Sequence, residues 1–432
     1  MPAEIMSGAG ADGAAQGLDH GAEPGPRLPR RRLLLAGAGL LSAAGLGAVV
    51  WEASRPDTAQ PRMTAMREPP ARHPAAVRPP ATATPEPPAR RTAIWQTKVS
   101  VPRPQLMAAA GGVVYVAGDQ GLDWTPDARG VVQALNARDG SHMWTYTVRM
   151  GRPGTVVSDP PGMAAGQGYV VYFGANDLTC LRASDGAKLW SDPSPLTVNL
   201  AAGPAAVYAV QETLFALSSR HGTRLWSFAA NAGAMAALLL ADGVLYVLGI
   251  GTDNKTNVVL AIRPSDGARL WDSPGPGGGW LACDGKTVCA VSGVGPDVQI
   301  QGNAGPMPTQ MCTYRASDGK LLYRSAVNAG YGPPVMTAGM AFAITAGNGH
   351  TPSKLHAVDP GNGRTVWSYP GASVAPAAAH GRIYTASPAG DLIALNASDG
   401  TPVWQCPIRF TVGPVAAGNT VFACDNTTVY AV

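Results

Sequence analysis

The stretch ALNASDGTPVW (394–404) decides the fold, because six variants of it precede it along the chain. They are ALNARDGSHMW (134–144), CLRASDGAKLW (180–190), ALSSRHGTRLW (216–226), AIRPSDGARLW (261–271), TYRASDGKLLY (313–323) and AVDPGNGRTVW (357–367). Each runs from an apolar strand through a polar turn to an aromatic residue, with glycine four places before the aromatic. Asp-Gly or Asn-Gly supplies the positive φ that a tight turn between twisted strands requires, so each unit predicts a hairpin.

A further strand with a Val/Tyr core stands upstream of each turn, at 113–118, 169–174, 206–210, 244–249, 287–291, 340–344, 382–386 and 420–424. Before it comes a small-residue strand ending in a turn, as in LLLADG (238–243) and PAAAHG (376–381). One unit is therefore four antiparallel strands. Eight Val/Tyr strands accompany only seven complete units, since the last stops at TVYAV (428–432) with no outer aromatic strand. The missing strand is AIWQTKV (93–99), at the other end of the repeat region. The aromatics Trp95, Trp144, Trp190, Trp226, Trp271, Tyr323, Trp367 and Trp404 then recur at intervals of 36 to 52 residues. That brackets the roughly 40–45 residues of a four-stranded propeller blade. The expectation is an all-β, eight-bladed propeller of four-stranded antiparallel blades, closed by the N-terminal strand completing the last blade. Closure removes exposed sheet edges. The eight aromatics are read as structural, packing between blades.

The units resemble the pyrroloquinoline-quinone (PQQ) repeat, best at Ala134-Leu135-Asn136…Gly140…Trp144 and Ala394-Leu395-Asn396…Gly400…Trp404. The resemblance covers 93–432 and implies the propeller fold. It also brings a quinoprotein dehydrogenase into view, with PQQ and Ca²⁺ as cofactors. Such enzymes typically carry adjacent cysteines over the quinone and Glu, Asn and Asp around Ca²⁺. This chain has no adjacent Cys pair, and Glu212 is its only glutamate beyond residue 92. No cofactor is therefore expected, no metal-site spacing occurs, and no catalytic residue is assigned. Gly-x-Ser-x-Gly is absent and the histidines are scattered singly, His142 and His221 beside turns.

Composition agrees with architecture more than with chemistry. Glycine (53) and proline (39) are abundant and charged residues are only 14% of 432, yet ten tryptophans argue against disorder. With 32 Lys+Arg against 28 Asp+Glu the net charge is +4, which does not suit a nucleic-acid binder. Residues 1–26 read as a disordered tail. Residues 27–51 join an arginine cluster to nineteen uncharged residues (33–51), a length that nearly spans a membrane. PRRRLLLAGAG (29–39) resembles a twin-arginine export signal, lacking the usual Ser/Thr before the pair and Phe after it. Cleaved signal and uncleaved anchor both stay open; either places the rest outside the cytoplasm. Residues 52–91, with ten prolines, form a linker.

The architecture further resembles the extracellular propellers of some bacterial membrane kinases and the lipoprotein of outer-membrane barrel assembly, implying a sensing or docking platform. No kinase motif occurs, and the first cysteine, Cys180, is far from the signal. The six cysteines are read as free buried thiols. Within LACDGKTVCAV (281–291), a two-residue Asp284-Gly285 turn predicts Cys283 opposite Lys286 and Cys289 opposite Trp280, hence opposite faces. Long connections between second and third strands, at 119–130, 249–257, 293–310 and 345–354, mark one rim. They nominate Trp124, Asp253, Asn254, Lys255, Asp297, Gln299, Asn303, Asn348 and His350 as binding residues for an envelope protein or a small ligand. The expected chain is a monomeric, non-catalytic scaffold or sensor.

Overall fold

The computed structural model describes residues 87–119, 129–149, 162–174, 177–193, 199–210, 213–228, 237–250, 256–277, 279–292, 310–325, 333–345, 353–372 and 374–432. Its strands form eight sheets, each antiparallel through its four blade strands. Blades 1 to 7 are contiguous in sequence: 104–149, 162–192, 199–228, 237–274, 279–324, 335–370 and 377–409. Within each, strands a to d run from the channel outward. Blade 8 takes strands a to c from 412–431 and strand d from Trp95–Lys98, with Trp95 opposite Ala431 and Lys98 opposite Thr428. The ring closes as the repeat count requires.

A row of three residues explains why each blade holds together. In blade 1, Tyr115 of strand b lies opposite Ala134 of strand c, which lies opposite Trp144 of strand d. The alanine leaves room for the flanking rings to meet above it, at 5.9 Å between centroids. The same row recurs as Tyr208–Ala216–Trp226, Tyr246–Ala261–Trp271, Phe342–Ala357–Trp367, Tyr384–Ala394–Trp404 and Phe422–Ala431–Trp95. Ring separations there are 5.6 to 5.9 Å, within the range of favourable tilted aromatic pairs.

The indoles also join one blade to the next. Trp144 Nε1 donates to the Ala183 carbonyl of blade 2 at 2.8 Å, and Trp190 Nε1 to Ser219 of blade 3 at 2.9 Å. Trp95, Trp226, Trp271 and Trp367 repeat the bond to Ala137, Pro264, Ala316 and Ala397. Each acceptor lies in the c–d turn of the following blade. Eight clusters of buried residues, one at each blade–blade junction, fill the space between sheets. Trp404 faces the seam, where chain ends replace a turn; Arg91 lies over its ring at 5.2 Å instead.

The hairpin turns differ from the tight two-residue form. Asn136 N donates to Ser141 O and Gly140 N to Asn136 O, enclosing a four-residue loop in which only Gly140 has positive φ (71°). The aspartate before the glycine fastens the loop through its side chain, the Asp139 carboxylate accepting Ser141 N at 2.9 Å. Asp185, Asp266, Asp318 and Asp399 likewise accept the amide two residues on. Hydrogen bonds from Ser141 hold the Asp139 carboxyl below its ordinary range. Two-residue turns with both φ positive occur between strands a and b, as at Asp242-Gly243 (47° and 73°).

Two further features depart from the sequence reading. Ala89–Arg90, at the end of the proline-rich linker, adds a fifth strand parallel to Trp404–Gln405 on the outer edge of blade 7. Composition hides this, because strand addition needs backbone groups and no side-chain pattern. In blade 5 the turn is shifted by one residue: Asp284 N bonds Thr287 O, so Cys283 lies opposite Val288 and Ala282 opposite Cys289. The predicted partners Lys286 and Trp280 are thus wrong, since Gly285-Lys286 and not Asp284-Gly285 occupies the bend. The two thiols still lie on opposite faces, Cys283 packing towards blade 4 and Cys289 towards blade 6. All six cysteines are free, and five are buried. Burial pushes the Cys180 and Cys424 thiols up to about 12, and Cys283 to about 11.

Tyr115 and Tyr169 provide a stability test of these interfaces. Both are buried, but Tyr169 Oη donates within reach of the Gly203 and Ala206 carbonyls of blade 3, at 2.7 and 2.9 Å. Tyr115 Oη has no hydrogen-bond partner among the described residues. Removing a paired buried hydroxyl costs about 1–3 kcal/mol because its acceptors lose their donor, whereas an unpaired one costs nothing to remove. Urea denaturation is expected to show Tyr169→Phe destabilised by that amount and Tyr115→Phe at least as stable as the parent. A Tyr115→Phe loss above about 1 kcal/mol would contradict this.

Candidate functional site

A propeller offers two faces and a channel, and here the two faces are built differently. On one, the a–b and c–d connections are nearly constant. The a–b turns from Ala110 to Val113, Gly166 to Tyr169 and Ala379 to Arg382 each enclose two residues. The c–d turns enclose five or six, as from Asn136 to His142 and from Ile262 to Arg269. Asp–amide bonds repeat from blade to blade, and Arg182–Asp185, Arg263–Asp266 and Arg315–Asp318 add exposed ion pairs at 2.8 to 2.9 Å.

On the opposite face the b–c connections vary widely. Two, three, four and three residues separate the strands in blades 2, 3, 7 and 8. The intervals are nine, six, eighteen and eight in blades 1, 4, 5 and 6. The d–a crossings leave from the same face. All nine nominated residues (Trp124, Asp253, Asn254, Lys255, Asp297, Gln299, Asn303, Asn348 and His350) fall in the long b–c intervals and lie outside the described residues. The strand ends that carry them are described: Asp119 and Arg129, Ile250 and Asn257, Ser292 and Met311, Thr345 and Lys354. Residues 33–51 are outside them too; among the described residues no helix is long and apolar enough to cross a membrane.

The channel, of about 640 Å³, is lined by the inner strands of all eight blades. Its walls are built from complementary sizes: Leu200 of blade 3 lies over Gly162 of blade 2, and Leu240 of blade 4 over Gly203 of blade 3. Asp242 and Arg263 are the charged residues of the lining, both at turns of the constant face. Arg263 is already paired with Asp266 at 2.8 Å.

This wall does not fit PQQ and Ca²⁺. The quinone carries three carboxylates that need cationic or donor partners, and Ca²⁺ takes six to eight oxygen ligands. Against that the described lining offers one carboxylate, one engaged guanidinium and the neutral side chains of Gln167, Asn199 and Ser265. No cluster of three His, Cys, Asp or Glu able to hold a metal occurs among the described residues.

Histidine placement is only partly legible in the sequence. His142, the first residue of strand d of blade 1, and His221, in the c–d turn of blade 3, are exposed beside the turns, as their sequence positions imply. His356 escapes a reading of spacing: it is half-buried in strand c of blade 6, between Thr345 Oγ1 at 3.0 Å and Ser368 Oγ at 2.9 Å. Desolvation, then the Lys354 ammonium, lowers its pKa. Cross-strand register makes that group, and no sequence spacing announces it.

Eight four-stranded blades, the Trp–turn bonds and the Ala/Asn–Gly–Trp units define a PQQ-repeat β-propeller. A family model described as outer membrane protein assembly factor BamB matches residues 88–200, 194–279 and 254–432, and the chain belongs to that family. No curated protein sequence matches it significantly. Among solved structures it is similar to BamB from Moraxella catarrhalis, at 16% identity over 79% of this chain and 96% of that one, with a TM-score of 0.55. Sqt1 of Saccharomyces cerevisiae gives 10% identity over 79% and 98%, with a TM-score of 0.55. Quinohemoprotein alcohol dehydrogenase ADHIIG from Pseudomonas putida HK5 gives 13% identity over 78% and 75%, with a TM-score of 0.52. At these identities the likeness is one of fold.

Proposed function

We propose that this protein is a non-catalytic, extracytoplasmic scaffold that presents the b–c face of its ring to an envelope protein. The observation that carries this reading is the contrast between faces: constant turns on one, intervals of two to eighteen residues on the other. Repeat proteins keep their non-binding connections short and accept length variation where partners bind. Membership of a family described by outer-membrane assembly supports an envelope location. So does the arginine cluster before residues 33–51. The poor fit of the channel to PQQ and Ca²⁺ supports a role without redox chemistry.

Photo-crosslinking in living cells tests the reading on the full chain. A benzophenone amino acid at Asn254, Asn303 or Asn348 is expected to give a discrete adduct. The same probe at Ser184 or Ser398, in the c–d turns of the constant face, is expected to give none. Adducts from both faces alike, or from neither, would reject the proposal. A purified chain that takes up PQQ with Ca²⁺ and reduces a dye with an alcohol would replace it by the dehydrogenase reading.

A further inference from the structure

Ring closure completes the last blade, but every strand d still has an outer edge. Such an edge pairs with other chains unless it is short, charged or broken by proline. Most outer strands here are guarded in one of these ways. Those of blades 2 to 6 and of blade 8 are four to six residues long, and each holds a Lys, Arg or Pro. Blade 7 has an eight-residue outer strand with Pro402 and Pro407, and Ala89–Arg90 pairs with its edge. Blade 1 differs. Its outer strand, His142–Arg149, is also eight residues long, and Met143–Val148 holds no charge, proline or glycine. It is the last strand of its sheet, with no outer partner among the described residues.

Blade 7 shows which backbone groups point outward. Gln405, the residue after Trp404, accepts the Arg91 amide at 2.9 Å. Trp404 lies opposite Ala394 just as Trp144 lies opposite Ala134. Thr145 therefore holds the place of Gln405. Thr145 and Thr147 turn their amides and carbonyls away from strand c. Both side chains are exposed, while Tyr146 and Val148 pack against the cluster between blades 1 and 2.

The stretch is self-complementary. When it lies antiparallel to a second copy with Tyr146 on the two-fold axis, Thr145 of one chain meets Thr147 of the other, and Trp144 meets Val148. Each threonine pair exchanges two hydrogen bonds, and Thr–Thr, aromatic–aromatic and aromatic–β-branched neighbours are favourable cross-strand pairs. An isologous contact of this kind closes at two copies.

We infer that the outer edge of blade 1 is a homodimer interface, in which Trp144–Val148 of two copies pair antiparallel and join two blades into one continuous sheet. Strand d runs from the constant face to the b–c face, so the two b–c faces point in opposite directions. The contact is small, which sets the expected Kd at about 1–100 µM.

Sedimentation equilibrium of the purified full chain, up to about 200 µM, tests the inference. A monomer–dimer equilibrium in that range is expected. Thr147→Pro removes an outward donor and no bond within the blade, so it should weaken the dimer at least tenfold and melt close to the parent temperature. If it melts lower, the double variant Thr145→Lys/Thr147→Lys, which sets like charges opposite each other on exposed positions, must abolish the dimer on its own. Under mild oxidation, Thr145→Cys and Thr147→Cys chains mixed together should form a disulfide-linked dimer that neither forms alone. A chain that stays monomeric throughout would overturn the assignment and leave the edge to an extended strand of another protein. A dimer that both Thr147→Pro and the double lysine variant leave unchanged would overturn it as well.

Discussion

Deletion of residues 92–99 is expected to lower the melting temperature by about 10 °C and to make the domain prone to aggregate. The segment contributes the whole outer strand of blade 8. Trp95 Nε1 bonds Ala137 O at 3.1 Å and Thr97 Oγ1 bonds Gly140 O at 2.7 Å, both in blade 1. Ile94 N and Val99 N bond Ala431 O and Thr427 O at 2.7 and 2.8 Å. Four such bonds at about 0.5–1.5 kcal/mol each, with the burial of one indole at about 3 kcal/mol, give a loss of about 5–9 kcal/mol. The loss is not local, because an opened seam leaves strand c of blade 8 as a free edge. Scanning calorimetry of the deleted chain checks it. An unchanged melting temperature would mean that the ring does not close through Trp95.

Gly186→Ala is expected to cost about 3 kcal/mol, and Gly243→Ala only about 1 kcal/mol. The two glycines have nearly equal φ, 71° and 73°, so the strain of placing an L-residue in the left-handed region is shared. Their surroundings differ. A Cβ on Gly186 would stand 2.6 Å from Cδ2 of Trp144, whereas Gly243 has nothing within 4 Å. Trp144 is buried and held by its bond to Ala183, so the indole cannot move aside without losing either packing or that bond. Gly222 and Gly400 seat Trp190 and Trp367 in the same way. Urea denaturation of both variants isolates the steric part. Equal losses would show that conformation alone, and not the indole seat, selects glycine in the c–d turn.

The channel wall is legible in the sequence in part only. That Trp280 stands apart can be read from its place in GWLAC (279–283), since a tryptophan breaks the small-residue pattern of inner strands. That Leu200 and Leu238 share its wall depends on how three blades converge. Register in LACDGKTVCAV also departs from the local reading. Asp284-Gly285 and Gly285-Lys286 are both acceptable bends when judged from neighbouring residues alone. Both put Cys283 and Cys289 on opposite faces, and the Asp284 carboxylate, accepting Lys286 N at 3.0 Å and Thr287 N at 2.9 Å, fastens the second.

By itself the sequence determined the number of blades, the closing strand and the recurring outer-strand aromatic. These are periodic, and every repeat restates the same short-range preferences, so independent copies reinforce one signal. The tertiary structure alone decided what each indole touches, where Ala89–Arg90 adds to blade 7, and which wall of the channel is apolar. Those contacts join residues about 30 to 315 positions apart, from Trp190–Ser219 to Ala89–Trp404. They depend on the rotation between blades, a property of the closed ring that no single repeat contains.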